Sequence, residues 1–110
     1  MADLEMLSAR LAVFNDARDW GQYHTPKNLA MALSVEAAEL LECFLWTEDS
    51  SPLQDGHLAE EAADILICLL NFCRHANIDL ARAFDEKLAK NAAKYPIEKA
   101  RGRAEKYDQL

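Results

Sequence analysis

Two short acidic motifs, Glu36-Ala-Ala-Glu39 and Glu61-Ala-Ala-Asp64, carry the side chains in this sequence best suited to chemistry. In each, two carboxylates stand three residues apart, a spacing that puts them one turn apart on one side of a helix. With Leu29 as zero on a helical wheel, Leu33, Leu40 and Phe44 fall between about 20° and 60°, and Glu36 falls at about −20°, inside the apolar arc. Glu39, at about −80°, borders that arc. With Leu58 as zero, Glu61 falls at about −60° among Ile65, Cys68 and Phe72, and Asp64 lies at the edge of the same side in a column with Asn71 and His75. Glu60 points outward. A carboxylate on a core face is costly unless it is paired or binds a metal, and no Lys or Arg lies on the inward arc of either helix. A single inward glutamate would favour pairing with a basic group from elsewhere in the fold. Two such pairs, brought together by antiparallel helices, favour a cation instead. Hard carboxylate donors suit Mg²⁺, with Mn²⁺ as a substitute, because both retain positions for water and phosphate.

The elements that must position these acids are helical. Gly and Pro are few, β-branched residues are scarce, and Ala, Leu, Glu and Lys abound. The pattern predicts a first helix from Leu4 to Arg18, with Asp3 as N-cap and Leu4, Leu7, Leu11 and Phe14 as its apolar stripe. A loop over Asp19 to His24 follows, carrying two aromatics. Thr25 and Pro26 open a second helix, as N-cap and first helical residue, which runs to Trp46. Residues 47–56 (TEDSSPLQDG) read as a polar loop. A third helix covers His57 to His75, Asn77 ends it, and Asp79 caps a fourth from Leu80 to Lys94 that stops at Tyr95-Pro96. The expected fold is all-α and four-helix bundle-like, with a helical domain over 1–96 and a charged tail over 97–110 that only a partner would order. The second and third helices would each be nearly 30 Å long, at about 1.5 Å per residue. A chain this short covers such helices poorly, so oligomerisation is expected to complete the fold.

Composition narrows the setting. The 110 residues fit one domain, and no apolar run is long enough to cross a membrane. The first residues lack a signal peptide's basic and apolar regions, which points to the cytoplasm. Cys43, Cys68 and Cys73 are odd in number and read as reduced core thiols. Their spacing with His75 does not make a zinc site. A net charge of −7 argues against a stable nucleic-acid partner. Seven of the 12 basic residues lie at position 87 or beyond, an acidic part followed by a basic one, which suits a metal–polyphosphate ligand. On charge alone, though, an ordinary solvated surface is the better reading.

With its 21-residue spacer, the pair of acidic motifs resembles the ExxE…ExxD signature of the MazG-like, all-α nucleoside triphosphate pyrophosphohydrolases. The similarity runs from about Phe14 to Tyr95 and extends to Arg18-Asp19-Trp20-Gly21-Gln22-Tyr23-His24, Pro26-Lys27-Asn28-Leu29, Phe44-Leu45-Trp46 and Lys87…Asn91…Lys94-Tyr95-Pro96. It leans to the dCTP pyrophosphatase branch. The resemblance implies Mg²⁺-dependent hydrolysis between the α and β phosphates, giving monophosphate and pyrophosphate as nucleotide-pool housekeeping. It implies Glu36, Glu39, Glu61 and Asp64 as metal ligands, and Lys87, Asn91, Lys94 and Tyr95 as phosphate contacts. Trp20, His24 and Trp46, with Lys27 beside them, would serve the base and sugar. It also implies a homotetramer, with a dimer as the minimum that packing asks for. One departure bears on base preference: Cys68 stands where that branch often has a tyrosine. The preferred base is therefore open between dCTP or a modified cytosine nucleotide, dATP, and non-standard triphosphates.

The general base is equally open among the four ligands and the neighbouring acids Glu42 and Glu60. Lys87, Asn91 and Lys94 share a helix face that would meet a polyphosphate, and without the resemblance they would read as solvated. Trp20 and Trp46, at helix ends, suit stacking on a base or aromatic packing in a helix-end cluster equally well. His57 and His75 read as surface or helix-end residues. A di-iron carboxylate bundle would show Glu-x-x-His, which is missing here. The rival outside enzymology is a helical interaction or nucleotide-sensing module whose acids meet a basic partner or bind without turnover.

Overall fold

The computed structural model describes residues 3–46 and 57–110, so the expected loop over 47–56 lies outside the described residues. Helices dominate: α1 (Leu4–Ala17), a 3₁₀ turn (Trp20–Tyr23), α2 (Pro26–Glu42), α3 (Leu58–His75), α4 (Leu80–Lys94), a single turn α5 (Ile97–Ala100) and a closing 3₁₀ turn (Tyr107–Gln109). The fold is all-α, as the composition requires. The chain forms two compact units, Met1–Ile78 and Asp79–Leu110.

In the first unit, the helix starts follow from local capping chemistry. Asp3 accepts a hydrogen bond from the Met6 amide at 2.8 Å, and Thr25 Oγ1 accepts one from the Asn28 amide at 3.1 Å, with Pro26 in the first turn. Asn77, at φ 57°, ends α3 in the left-handed region. There the Ile78 amide reaches the Cys73 carbonyl at 2.8 Å and the Asn77 amide reaches that of Arg74 at 3.4 Å.

Two local differences have physical causes. The segment expected as a loop after α1 contains the 3₁₀ turn, entered through Asp19 at φ 53° and tied by the Gln22 side-chain Nε2 donating to the Asp19 carbonyl at 2.9 Å. The second helix ends at Glu42 rather than Trp46. Past it the bonds tighten to three-residue spacing, Cys43 to Leu40, Phe44 to Leu41 and Leu45 to Glu42, and Trp46 at φ 67° leaves the helical region.

Helices α2 and α3 lie antiparallel. His24, just before α2, meets His75 at the end of α3, and Glu36 and Glu39 meet Glu61 near the start of α3. Leu29, Cys43, Leu70 and Cys73 are the buried apolar residues among those described, whereas Val13, Met31, Val35 and Leu41 stay largely exposed. So thin a core agrees with long helices carried by a short chain.

A buried amide pair ties α1 to α3: Asn15 Nδ2 donates to Asn71 Oδ1 at 2.8 Å, and Asn15 is only 2 % exposed. Asn71→Ala removes the acceptor and strands the Asn15 donor, which is expected to cost about 1–3 kcal/mol. Converting both to leucine is expected to cost far less, because no stranded donor remains. Urea unfolding measures both, and an Asn71→Ala midpoint equal to wild type would mean that water replaces the lost partner.

In the second unit, Asp79 caps α4 by accepting from the Arg82 amide at 3.2 Å, and α4 ends at Lys94 as expected, ahead of Pro96. The tail differs from its reading as a segment that only a partner would order. It carries α5 and the closing 3₁₀ turn, and the Tyr107 ring meets Tyr95 and Lys94 of the same chain.

Candidate active site

In both motifs the acids turn inward while the alanines between them are exposed. The antiparallel pairing then brings one carboxylate oxygen each from Glu36, Glu39 and Glu61 within 4.8 Å of one another. All three residues, and Asp64, are half-buried. Glu36 Oε2 and Glu61 Oε2 are sealed from solvent and have no hydrogen-bond partner. Burial first, then the shared hydrogen bond and the charge of Glu39, then Asp64, hold the carboxyls of both Glu36 and Glu61 above the ordinary glutamate range; Glu61 is partly relieved by His57. Glu39 thus stands close to one acid on its own helix and one on the facing helix, with an oxygen within 4.8 Å of each.

Among the described residues of this unit no Lys or Arg pairs with the four acids. The ion contact there is His57 Nδ1 with Glu60, 3.6 Å apart at the surface. Orphaned inward oxygens in a hard, all-carboxylate donor set are what a divalent cation such as Mg²⁺ would satisfy. Reduction of charge by a cation also answers the repulsion that raises the two carboxyls.

The other acids named as possible bases lie outside this cluster. Glu42, the last residue of α2, and Glu60, on the outer side of α3, are exposed. Cys68 is half-buried beside the acids: burial, then the charges of Glu36 and Asp64, push its thiol up.

Trp20 and His24 come together around a second feature, a cavity of about 180 Å³ lined also by Leu11, Phe14, Asn15, Ile67 and Asn71. The Trp20 ring meets Phe14 edge-on, with centroids 5.6 Å apart, and the Arg18 guanidinium lies 3.7 Å above the Phe14 ring. His24 sits edge-on to His75 at 5.5 Å. Burial, then the charges of His75 and Arg74, hold the His24 imidazole below its ordinary pKa and favour its neutral form. His75 is a helix-end residue, as expected, and packing against His24 leaves it half-buried. Its column with Asp64 and Asn71 was the available signal.

Lys27 is exposed in the first turn of α2, and Trp46 stands 96 % exposed beyond its end. Trp20 thus packs in a helix-end aromatic cluster with Phe14, whereas Trp46 stands open to solvent. In the second unit, Lys87 and Lys94 are exposed and Asn91 is half-buried at the spacing that shares one face of α4, with Tyr95 as C-cap.

The profile of the MazG-like family matches residues 31–110. The dCTP pyrophosphatase 1 of Rattus norvegicus is 37 % identical over 117 residues, spanning 100 % of this chain and 67 % of that protein. The Homo sapiens dCTP pyrophosphatase 1 is 36 % identical over the same shares. A pyrophosphatase from Archaeoglobus fulgidus DSM 4304, of known structure, is similar with a TM-score of 0.78 and 44 % identity, covering 87 % of this chain and 94 % of that one. The matched span takes in both acidic motifs and the helices that juxtapose them, and the chain belongs to the MazG-like family.

Proposed function

We propose that this protein is a nucleoside triphosphate pyrophosphohydrolase that uses Mg²⁺ and prefers dCTP or a closely related cytosine nucleotide. The observation that carries the reading is the meeting of Glu36, Glu39 and Glu61 oxygens within 4.8 Å, two of these residues having a sealed and unpartnered oxygen. A pyrophosphatase activity in the names of three similar proteins, two of them dCTP pyrophosphatases, supports the reaction and the base.

Glu36, Glu39, Glu61 and Asp64 would hold the cation. When bound, it supplies charge neutralisation on the phosphates and lowers the pKa of a coordinated water. The water oxygen forms the new bond to phosphorus, the α–β phosphoanhydride bond breaks, and pyrophosphate leaves. The water's proton passes to one of the four clustered acids Glu36, Glu39, Glu61 and Asp64, or to Glu42 or Glu60, which stand clear of the cluster. Lys87, Asn91, Lys94 and Tyr95 bind the phosphates. Trp20 and His24, with Lys27 and Trp46, bind base and sugar, and a neutral His24 serves as a hydrogen-bonding group rather than as a charge.

No helix among the described residues is long and apolar enough to cross a membrane, and we place the enzyme in the cytoplasm. Assembly into a tetramer, or at least a dimer, would cover the apolar faces of α1 and α2 that stay exposed.

Incubating the protein with each common dNTP and rNTP, with Mg²⁺ or with EDTA, and separating the products by ion exchange tests the reading. Magnesium-dependent monophosphate and pyrophosphate are expected, fastest with dCTP. Diphosphate and orthophosphate would retain the metal site and refute the bond. Absence of turnover with every triphosphate would leave a binding module.

A further inference from the structure

We propose that Tyr107, in the C-terminal tail, is a positioning residue that holds Lys94 and Tyr95 in the pose in which they meet the polyphosphate. This rests on the reading above that Lys94 and Tyr95 bind phosphate. The juxtaposition lies wholly within the second unit. Lys94 Nζ stands 4.9 Å from the centroid of the Tyr107 ring, inside the range in which an ammonium is attracted to an aromatic face. The Tyr95 ring meets the same Tyr107 ring edge-on, at 6.2 Å and 84°, an arrangement that aromatic pairs favour. One tail side chain therefore touches two consecutive residues that the proposed function assigns to the substrate.

The tail is built to come back to this point. Pro96 ends α4, and α5 turns the chain once. Gly102, at φ 76°, then takes a left-handed conformation that side chains disfavour. Beyond it Arg103 makes three contacts that close the tail on itself: Nε to Glu105 Oε2 at 3.3 Å, Nη2 to Glu105 Oε1 at 3.4 Å, and Nη2 to the Gln109 carbonyl at 3.4 Å. The last turn is closed by the Gln109 amide donating to the Lys106 carbonyl at 2.9 Å. Tyr107 sits inside that closed segment, with its ring turned to the end of α4.

A lysine at a helix end samples many rotamers, and binding must freeze them. An ammonium already resting on an aromatic face has lost much of that freedom before substrate arrives, so less is lost on binding. It keeps hydrogen-bond donors for phosphate, since an ammonium has three N–H groups and the ring face does not engage them all. Tyr95 is pinned by the same ring. The strap acts on substrate affinity rather than on the bond-breaking step, which the carboxylate cluster of the first unit serves.

The test is steady-state kinetics with the best triphosphate from the panel above, for Tyr107→Leu, Tyr107→Phe, Lys94→Met and the Tyr107→Leu/Lys94→Met double variant. Tyr107 is half exposed, so these variants keep the helical fold, which circular dichroism checks. Tyr107→Leu is expected to raise KM about two- to fivefold, the worth of one exposed cation–aromatic contact, with kcat little changed. Tyr107→Phe, which keeps the ring, is expected to behave as wild type. In the Lys94→Met background, Tyr107→Leu is expected to add much less, because the ammonium it positions is gone.

An active wild type whose KM is indifferent to Tyr107→Leu overturns the strap and leaves the proposed function standing. An equal KM increase with and without Lys94 also overturns it, by showing that Tyr107 merely anchors the tail. A wild type that turns over no triphosphate removes the proposed function, and the strap falls with it.

Discussion

Glu39→Gln is expected to lower turnover by about 10²- to 10³-fold, the loss that corresponds to several kcal/mol of metal-assisted stabilisation. The substitution preserves size and hydrogen-bonding capacity, so α2 and its packing on α3 are expected to survive. The effect should be larger at Glu39 than at Glu42 or Glu60. Glu39 brings an oxygen within 4.8 Å of both Glu36 on its own helix and Glu61 on the facing one, whereas Glu42 and Glu60 are exposed and outside the cluster. Initial rates for the three glutamine variants, with circular dichroism to confirm helicity, decide the matter. A Glu39→Gln enzyme with near-normal turnover would show that the clustered acids are not the metal ligands. A severe loss in Glu60→Gln or Glu42→Gln with normal metal binding would instead identify that residue as the base.

Magnesium is expected to stabilise the fold strongly at neutral pH and weakly in mild acid. Without metal, Glu36 and Glu61 keep their protons to higher pH than ordinary glutamates, because burial and the neighbouring carboxylates disfavour the ionised forms. An acid whose folded pKa lies above its unfolded value stabilises the fold fully below the unfolded pKa, here near 4.5. Above that, the folded state binds more protons than the unfolded state, so stability falls as pH climbs through the folded pKa. A cation bound to the ionised cluster removes the repulsion and restores stability. At a hundredfold excess of Mg²⁺ over its dissociation constant, Tm should rise by on the order of 10 °C at pH 7.5. The rise should shrink toward pH 5, where protons compete with the metal. Thermal melts in EDTA and in Mg²⁺ at the two pH values measure this. Equal shifts at both pH values, or none, would remove the carboxylates as the binding site. Glu36→Gln is expected to leave metal-free Tm unchanged or higher while cutting the magnesium-dependent rise, a pairing that general destabilisation does not produce.

Local chemistry made much of the architecture legible. Asp3, Thr25-Pro26 and Asp79 start helices at the positions their capping groups demand, and Asn77 ends α3 because its left-handed conformation releases the chain toward Asp79. Those interactions span three or four residues, so the sequence carries them nearly complete. The end of α2 was harder to read. The apolar pattern continues past Glu42 through Phe44 to Trp46, while the backbone has already changed from four-residue to three-residue bonding.

The acids themselves were legible because carboxylates on an apolar arc contradict the usual sorting of residues, and a contradiction repeated on two helices signals a ligand. Periodicity placed them on a face, and it set Glu60 apart from Glu61. Only the antiparallel contact of α2 with α3 gathered Glu36, Glu39 and Glu61 and left Glu42 outside the group. It also closed His75 over His24, and the packing of α1 joined Asn15 to Asn71. The return of Tyr107 to Lys94 and Tyr95 is of the same kind. Types, caps and helical faces depend on neighbours a few residues away and are written in the sequence. Which faces meet depends on contacts between residues far apart along the chain, whose energies are set by shape and burial, and those the tertiary structure alone decides.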